Sequence, residues 1–188
     1  GESATFGQDY SPEFLAYLLH ELLEELGIYR TYVLGHSMGG RTALEFAALY
    51  QENTLGLIIE DMHISSVPAS SLAIDPALKR FDKVSSKIKT TYLNKNDALE
   101  ALKEFYSLEE SLWVLSSGYQ SKDSYHLRCR PESTELYLHQ GLAVDMSSSL
   151  KKIKCPIEFF AGDPKDFTTQ LNKQKIDQIK SINENIKI

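Results

Sequence analysis

Residues 31–60 read TYVLGHSMGGRTALEFAALYQENTLGLIIE, and this stretch decides the fold. A short β-rich run at 31–34 leads into a serine flanked by glycines, and the Ala- and Leu-rich segment at 41–50 is typical of a helix. The run LGLIIE at 55–60 is almost continuously apolar, as in a strand buried on both faces of a parallel sheet. Strand, helix and strand joined by short links predict a βαβ unit.

The segment before this unit predicts an amphipathic helix over 11–26. Ser11 is a suitable N-cap, Pro12 occupies the first helical position, and Gly27 follows the last turn. Apolar residues recur there at helical spacing and form one broad stripe, namely Phe14, Leu15, Leu18, Leu19, Leu22, Leu23 and Leu26.

The pattern changes after Asp61. Residues 62–75 are loop-like, and residues 76–150 predict several helices, the clearest at 96–106 and 108–115, with no strong strand. The alternation of strand and helix then resumes with a strand at 156–160, a helix from about 168 to 182 and the start of a strand at 185–188. A mainly helical insertion therefore interrupts an α/β framework.

Composition narrows the classes of function. The chain has 188 residues, 42% of them hydrophobic, which suits a globular domain and argues against disorder. Its 20 Lys and Arg against 26 Asp and Glu give a net charge of −6, so a nucleic-acid surface is not expected. No apolar run approaches the roughly 20 residues that a membrane span needs. Cys129 and Cys155 lack metal-like spacing and predict ordinary thiols in a reduced, cytoplasmic protein, with a single disulfide as the less favoured alternative. No metal or cofactor is expected.

The sequence Gly35-His36-Ser37-Met38-Gly39 matches the G-x-S-x-G nucleophile elbow, and Gly40 follows it. A strand enters this motif and a helix leaves it, as an elbow requires. The glycines are expected to avoid clashes between Cβ atoms and neighbouring backbone where the turn is strained. Ser37 is then the predicted nucleophile, and the N–H of Met38 at the start of the helix is a predicted donor to an oxyanion.

Several segments in order resemble the α/β-hydrolase superfamily: GES at the start, PEFLAYLLHELLEELGI, VLGHSMGGRTALEFA, LGLIIEDM and CPIEFFAGDPKD. Within it, the chain is most similar to small bacterial esterases related to the mitochondrial α/β-hydrolase-domain proteins. The resemblance implies a parallel sheet flanked by helices, with core segments at 1–61 and 151–188 and a helical cap at 62–150. It also implies that strands before Gly1 and the region of the catalytic histidine are missing from this chain, which would then be an internal fragment.

The resemblance implies two competing positions for the catalytic acid. In most of the superfamily the acid follows the strand at 156–160, three residues after its glycine, but Lys165 stands there and Asp166 or Asp163 would need a shifted loop. In the related esterases the acid ends the strand after the elbow helix, where this chain has Asp61, 24 residues after Ser37. We favour Asp61, with Asp166 as the alternative.

A base is harder to assign, because a triad histidine must reach both the serine and the acid. The superfamily's histidine follows the last strand, and none of the five histidines stands there: His20, His36, His63, His126 and His139. His36 is expected to pack beneath the nucleophile. His63, two residues after Asp61, is expected near the pocket.

These observations predict a serine hydrolase that cleaves a small-molecule carboxylic ester or thioester, with residues 1–188 alone inactive for want of the base. Trp113 and Tyr119 are candidates for contact with the substrate, whereas most apolar residues of the insertion are expected to pack helix against helix. The alternative is an inactive α/β-hydrolase-like module that binds a ligand or acts as a receptor. The oligomeric state is left open.

Overall fold

Four parallel strands form the main sheet of the structure, a computed structural model that describes residues 9–66, 87–128, 131–160, 177 and 183–187. In chain order these strands are β1 (Thr31–His36), β2 (Thr54–Glu60), β6 (Ile157–Phe160) and β7 (Ile186–Lys187), and they lie side by side in that same order. The predicted parallel α/β architecture is confirmed.

Helix α2 (Met38–Leu49) covers one face of this sheet, and α1 (Pro12–Glu25) packs against α2. A single 3₁₀ turn, Gln51–Asn53, joins α2 to β2. The core between sheet and helices contains Leu44, Leu57, Ile59, Ile157 and Phe159, all almost inaccessible to solvent. Burial of such side chains is the main force that holds the βαβ unit together.

Helix α1 begins as predicted. The Ser11 hydroxyl accepts a hydrogen bond from the N–H of Phe14 at 3.2 Å, Pro12 is the first helical residue, and Gly27 has a φ of 69° just past the end. Leu22 and Leu26, at the far end of the predicted apolar stripe, are exposed. Within the described residues only the first part of the helix is packed closely, around the buried Ala16.

Two elements extend further than the sequence predicts. β1 continues through Gly35 to His36, and α2 begins at Met38 rather than at residue 41. Both differences lie at the elbow, where Ser37 is the single residue between the end of β1 and the start of α2. No loop therefore separates β1 from the serine.

The described residues fall into two compact units, one formed by residues of 9–66 and 139–187 and the other by residues of 87–138. Of the predicted cap at 62–150, residues 62–66 and 139–150 thus group with the larger unit. There α6 (Ser147–Lys152) packs on α2, with Met146 and Leu150 in the core.

The described part of the smaller unit contains α3 (Lys95–Lys103), α4 (Leu108–Ser116) and the start of α5 (Pro131–Gln140). It also contains a small antiparallel sheet that the sequence analysis did not predict. Its strands have two residues each, in the order β3 (Thr91–Tyr92), β5 (Tyr125–His126) and β4 (Tyr119–Gln120). Runs of two residues carry too little periodicity to be read from sequence.

Candidate active site

Ser37 occupies a sharp turn between the end of β1 and the start of α2. Its backbone has φ 50° and ψ −113°, a conformation that glycine adopts easily and other residues rarely do. Its N–H donates to the carbonyl oxygen of Glu60 on β2 at 2.9 Å, which extends the β1–β2 ladder by one residue. The side chain is exposed, and its hydroxyl makes no hydrogen bond to any described residue. Ser37 is thus held in a strained turn with its hydroxyl accessible, as a nucleophile requires.

The glycines of the motif have different roles. A Cβ at Gly35 would lie 2.2 Å from the carbonyl oxygen of Gly39 and 2.7 Å from the Cα of Gly40, so no side chain fits. At Gly40 a Cβ would lie 3.1 Å from both the Gly35 oxygen and the Met62 sulfur. At Gly39 it would meet nothing within 4 Å. The prediction that a side chain would clash is therefore correct at Gly35 and wrong at Gly39. The backbone of Gly39 is what a side chain at Gly35 would strike.

Met38 is the first residue of α2 and follows the serine directly. The N–H groups of Gly40 and Arg41 both point back to the carbonyl oxygen of Ser37, at 3.1 and 3.3 Å. The N–H of Met38 has no acceptor within the described part of the chain. It is free to donate to an anion at the positive end of the α2 dipole, as a donor to an oxyanion must be.

Asp61 stands at the matching position one strand away. His36 and Glu60 are opposite each other in the β1–β2 register, so Ser37 and Asp61 each come one residue after that pair. The N–H of Asp61 donates to the carbonyl oxygen of Phe160 on β6 at 2.9 Å, and its φ is 39°. The half-buried carboxylate makes no hydrogen bond to any described residue. Nucleophile and predicted acid thus share the carboxyl edge of the parallel sheet, where open α/β sheets bind their ligands.

The chain returns to the core directly after Asp61. Met62 and Ile64 are buried, the carbonyl oxygen of Ile64 accepts from the N–H of Met146 at 2.9 Å, and the carbonyl of His63 accepts from the guanidinium of Arg41. Sequence reasoning missed Arg41. The available signal was the one basic residue of the predicted helix 41–50, four positions after the serine.

None of the five histidines is hydrogen bonded to Ser37 or to Asp61 among the described residues. His36 is exposed, so the prediction that it packs beneath the nucleophile is wrong. His63 is half-buried beside the acid, His139 is exposed near the end of α5, and His20 stacks on Tyr50. The structure therefore brings Ser37 and Asp61 to one edge of the sheet, with no described histidine hydrogen bonded to either.

His126 belongs to a separate cluster in the smaller unit. Its ring nitrogens are hydrogen bonded to the hydroxyls of Ser124, at 2.8 Å, and Thr91, at 3.2 Å. Tyr119, a candidate for contact with the substrate, stacks on this imidazole with ring centroids 5.0 Å apart, and the guanidinium of Arg128 lies 5.5 Å from the Tyr119 ring centre. Each partner fixes the orientation of the next.

The remaining predicted site residues lie elsewhere. Trp113 projects from α4 with 77% of its surface exposed, in the smaller unit. Asp163 and Asp166 lie outside the described residues, as does the helix predicted from about 168 to 182 apart from Asp177, which is helical. Ser37, Met38 and Asp61 are the predicted residues that the structure brings together.

The described residues contain no cluster of three or more histidine, cysteine, aspartate or glutamate side chains arranged to hold a metal ion. Nor does the described part of the chain contain a helix long and apolar enough to cross a membrane.

Comparison with known proteins agrees with this geometry. The sequence profile of the alpha/beta hydrolase fold matches residues 1–127, which include the elbow and Asp61. The chain belongs to the α/β-hydrolase family. No curated protein sequence matches it significantly.

Several solved structures share this α/β-hydrolase fold. An esterase from a marine microorganism superposes with a TM-score of 0.75 at 20% identity, covering 100% of this chain and 70% of that one. E-2-(acetamidomethylene)succinate hydrolase gives a TM-score of 0.74 at 14% identity, covering 99% and 67%. A thioesterase domain from the curacin biosynthetic pathway gives 0.61 at 16% identity, covering 98% and 67%. At these identities the likeness establishes the fold that this α/β-hydrolase shares with them, and the chemistry has to be argued from the site.

Proposed function

We propose that this α/β-hydrolase cleaves carboxylic ester or thioester bonds, with Ser37 as nucleophile and Asp61 as the acid that orients a catalytic histidine. The observation that carries the proposal is the placement of Ser37 and Asp61 one residue past the same register pair. Serine rather than aspartate at the elbow favours acyl transfer over chemistry that starts from a carboxylate nucleophile. Among the structural relatives, one is named an esterase and one a thioesterase domain, which is the reaction class proposed.

The reaction follows from the elements around the serine. The histidine takes the proton of the Ser37 hydroxyl as the oxygen attacks the carbonyl carbon, and the N–H of Met38 donates to the oxyanion of the tetrahedral intermediate. The histidine then protonates the leaving alcohol or thiol. Water, activated by the same histidine, hydrolyses the acyl-serine and releases the carboxylic acid. Asp61 stabilises the imidazolium that forms in both steps.

A fluorophosphonate probe tests the nucleophile in the full-length protein. Peptide mapping should find the probe on Ser37, and Ser37→Ala should abolish labelling, whereas the exposed Ser116→Ala should leave it unchanged. Full-length protein that is folded but unlabelled at Ser37 would contradict the proposal and favour a ligand-binding or receptor module on the same fold.

A second experiment locates the base. If residues 1–188 alone hydrolyse p-nitrophenyl acetate, alanine substitution of each histidine identifies the base, and His63→Ala is the first variant because His63 follows Asp61 by two residues. If residues 1–188 are inert while the full-length protein is active, the base lies in the remainder of the protein. Both results are compatible with the assignment of Ser37.

A further inference from the structure

Arg41 is a charged side chain in the core of the larger unit, with a relative exposure of only 1%. It lies on α2, and its own N–H donates to the carbonyl oxygen of Ser37 at 3.3 Å. A buried guanidinium needs hydrogen-bond acceptors, because removing its hydration without replacing it is costly. Its acceptors therefore show which parts of the chain it holds together.

The guanidinium donates to three backbone carbonyls from two distant segments. Nε donates to Gly141 at 2.9 Å, one terminal nitrogen donates to Val144 and the other to His63. Gly141 and Val144 belong to the turn after α5, and His63 belongs to the loop that follows Asp61. Arg41 thus joins the helix that carries the nucleophile to the segment that carries the acid. A planar group with donors in a fixed fork suits this arrangement better than the single point charge of lysine.

The loop needs such an anchor because Asp61 is strained. Its φ of 39° is unusual for a residue with a side chain, and a conformation of this kind persists only where the surroundings enforce it. On one side the N–H of Asp61 is bonded to Phe160. On the other side Arg41 holds the carbonyl of His63, and Met146 holds that of Ile64.

We propose that Arg41 is a positioning residue, which fixes residues 62–64 so that Asp61 keeps its left-handed conformation beside Ser37. The inference rests on the proposed function for the role of Asp61, whereas the clamp itself is a property of the fold. These three bonds tie Arg41 to backbone carbonyls, and its effect on the reaction passes through Asp61.

Amide hydrogen exchange tests the clamp without any assay of activity. Arg41→Lys should speed exchange at the amides of Asp61 and Met146, whose acceptors are Phe160 and Ile64, by about tenfold or more relative to the amide of Leu57 in the sheet. Arg41→Met, which removes every donor, should have a larger effect. Combining Arg41→Lys with Asp61→Gly should shrink the effect at Met146, since glycine adopts a φ of 39° without strain.

Asn183→Ala is a matched control. The buried Asn183 amide also clamps two carbonyls, those of Leu150 and Ile153 at 3.0 and 2.9 Å, away from the Asp61 loop. The Asn183→Ala substitution should lower the midpoint temperature of unfolding. It should leave unchanged the ratio of the exchange rate at the Asp61 amide to that at the Leu57 amide. Equal acceleration at all three amides in both variants would show that Arg41 is only a general stabilising residue, and would overturn the proposal.

Labelling of Ser37 by the fluorophosphonate separates this inference from the proposed function. In the full-length protein, Arg41→Lys should reduce the labelling rate by about tenfold or more through misplacement of the acid, whereas Asn183→Ala should not. If faster exchange at Asp61 leaves the labelling rate unchanged, Arg41 does not position the catalytic acid. If the wild-type protein is not labelled at all, the proposed function fails and the exchange ratios still decide whether the clamp exists.

Discussion

Ser37 and Asp61 follow the same cross-strand pair, His36 opposite Glu60, and they are the two non-glycine residues with positive φ in the described part of the chain. The N–H of each extends a ladder, to Glu60 and to Phe160 respectively, both at 2.9 Å. The last hydrogen bond of each ladder therefore holds the N–H of the residue whose φ is positive. Strained residues of this kind persist only where the surrounding structure holds them, and they cluster at functional sites.

Ser37→Gly should stabilise the protein. A φ of 50° with ψ −113° costs a residue with a side chain about 1–3 kcal/mol, and glycine avoids most of that cost. Ser37→Ala keeps the Cβ and should leave the free energy of unfolding near the wild-type value. Urea denaturation of the three proteins measures the difference. A Ser37→Gly variant no more stable than Ser37→Ala would show that the turn is not strained.

Gly35→Ala should disrupt the elbow, whereas Gly39→Ala should be harmless to the fold. The added methyl at residue 35 would overlap the Gly39 carbonyl, and overpacking against backbone costs about 1–3 kcal/mol or more. At residue 39 the methyl meets nothing, and alanine favours a helix over glycine by up to about 1 kcal/mol. Unfolding free energies from urea titration provide the comparison. Equal destabilisation by the two substitutions would contradict this account of the motif.

The sequence analysis succeeded where the determining contacts are local. Glycine spacing, a strand before Ser37 and a helix after it were sufficient to predict the elbow, and the end of an apolar run placed Asp61. The positive φ of Asp61 depends on Phe160, about 100 positions away in sequence, and so could not be predicted. The same holds for Arg41, whose acceptors at Gly141 and Val144 are distant along the chain.

The burial of α1 could not be predicted from its sequence for a similar reason. A helical stripe shows which face is apolar, but the neighbouring elements decide how much of that face is covered. Leu22 and Leu26 lie at the end of α1 and remain exposed, whereas Ala16, nearer its start, is fully buried. Periodicity thus predicted the helix itself and not the extent of its packing.

Cys155 should ionise at a higher pH in the folded protein than in the unfolded chain. Partial burial disfavours the thiolate and raises the pKa of Cys155 above its ordinary value of 9.0. Unfolded chains then lose this proton first as the pH rises, so the free energy of unfolding should fall from about pH 9 upward. Thiolate absorbance near 240 nm, recorded in a Cys129→Ala background with and without urea, measures both pKa values. A folded midpoint equal to or below the unfolded one would contradict the prediction.

Asp61→Asn should abolish most activity while leaving the fold intact. Asparagine has nearly the same shape and tolerates positive φ, so the free energy of unfolding should change little. Loss of the carboxylate removes the group proposed to orient and stabilise the imidazolium, which should lower kcat/KM for p-nitrophenyl acetate by about 10³-fold or more. Asp163→Asn and Asp166→Asn are the matched controls, since each makes the same chemical change at the rival position. If Asp61→Asn kept full activity and Asp166→Asn lost about 10³-fold or more, the role of acid would belong to Asp166.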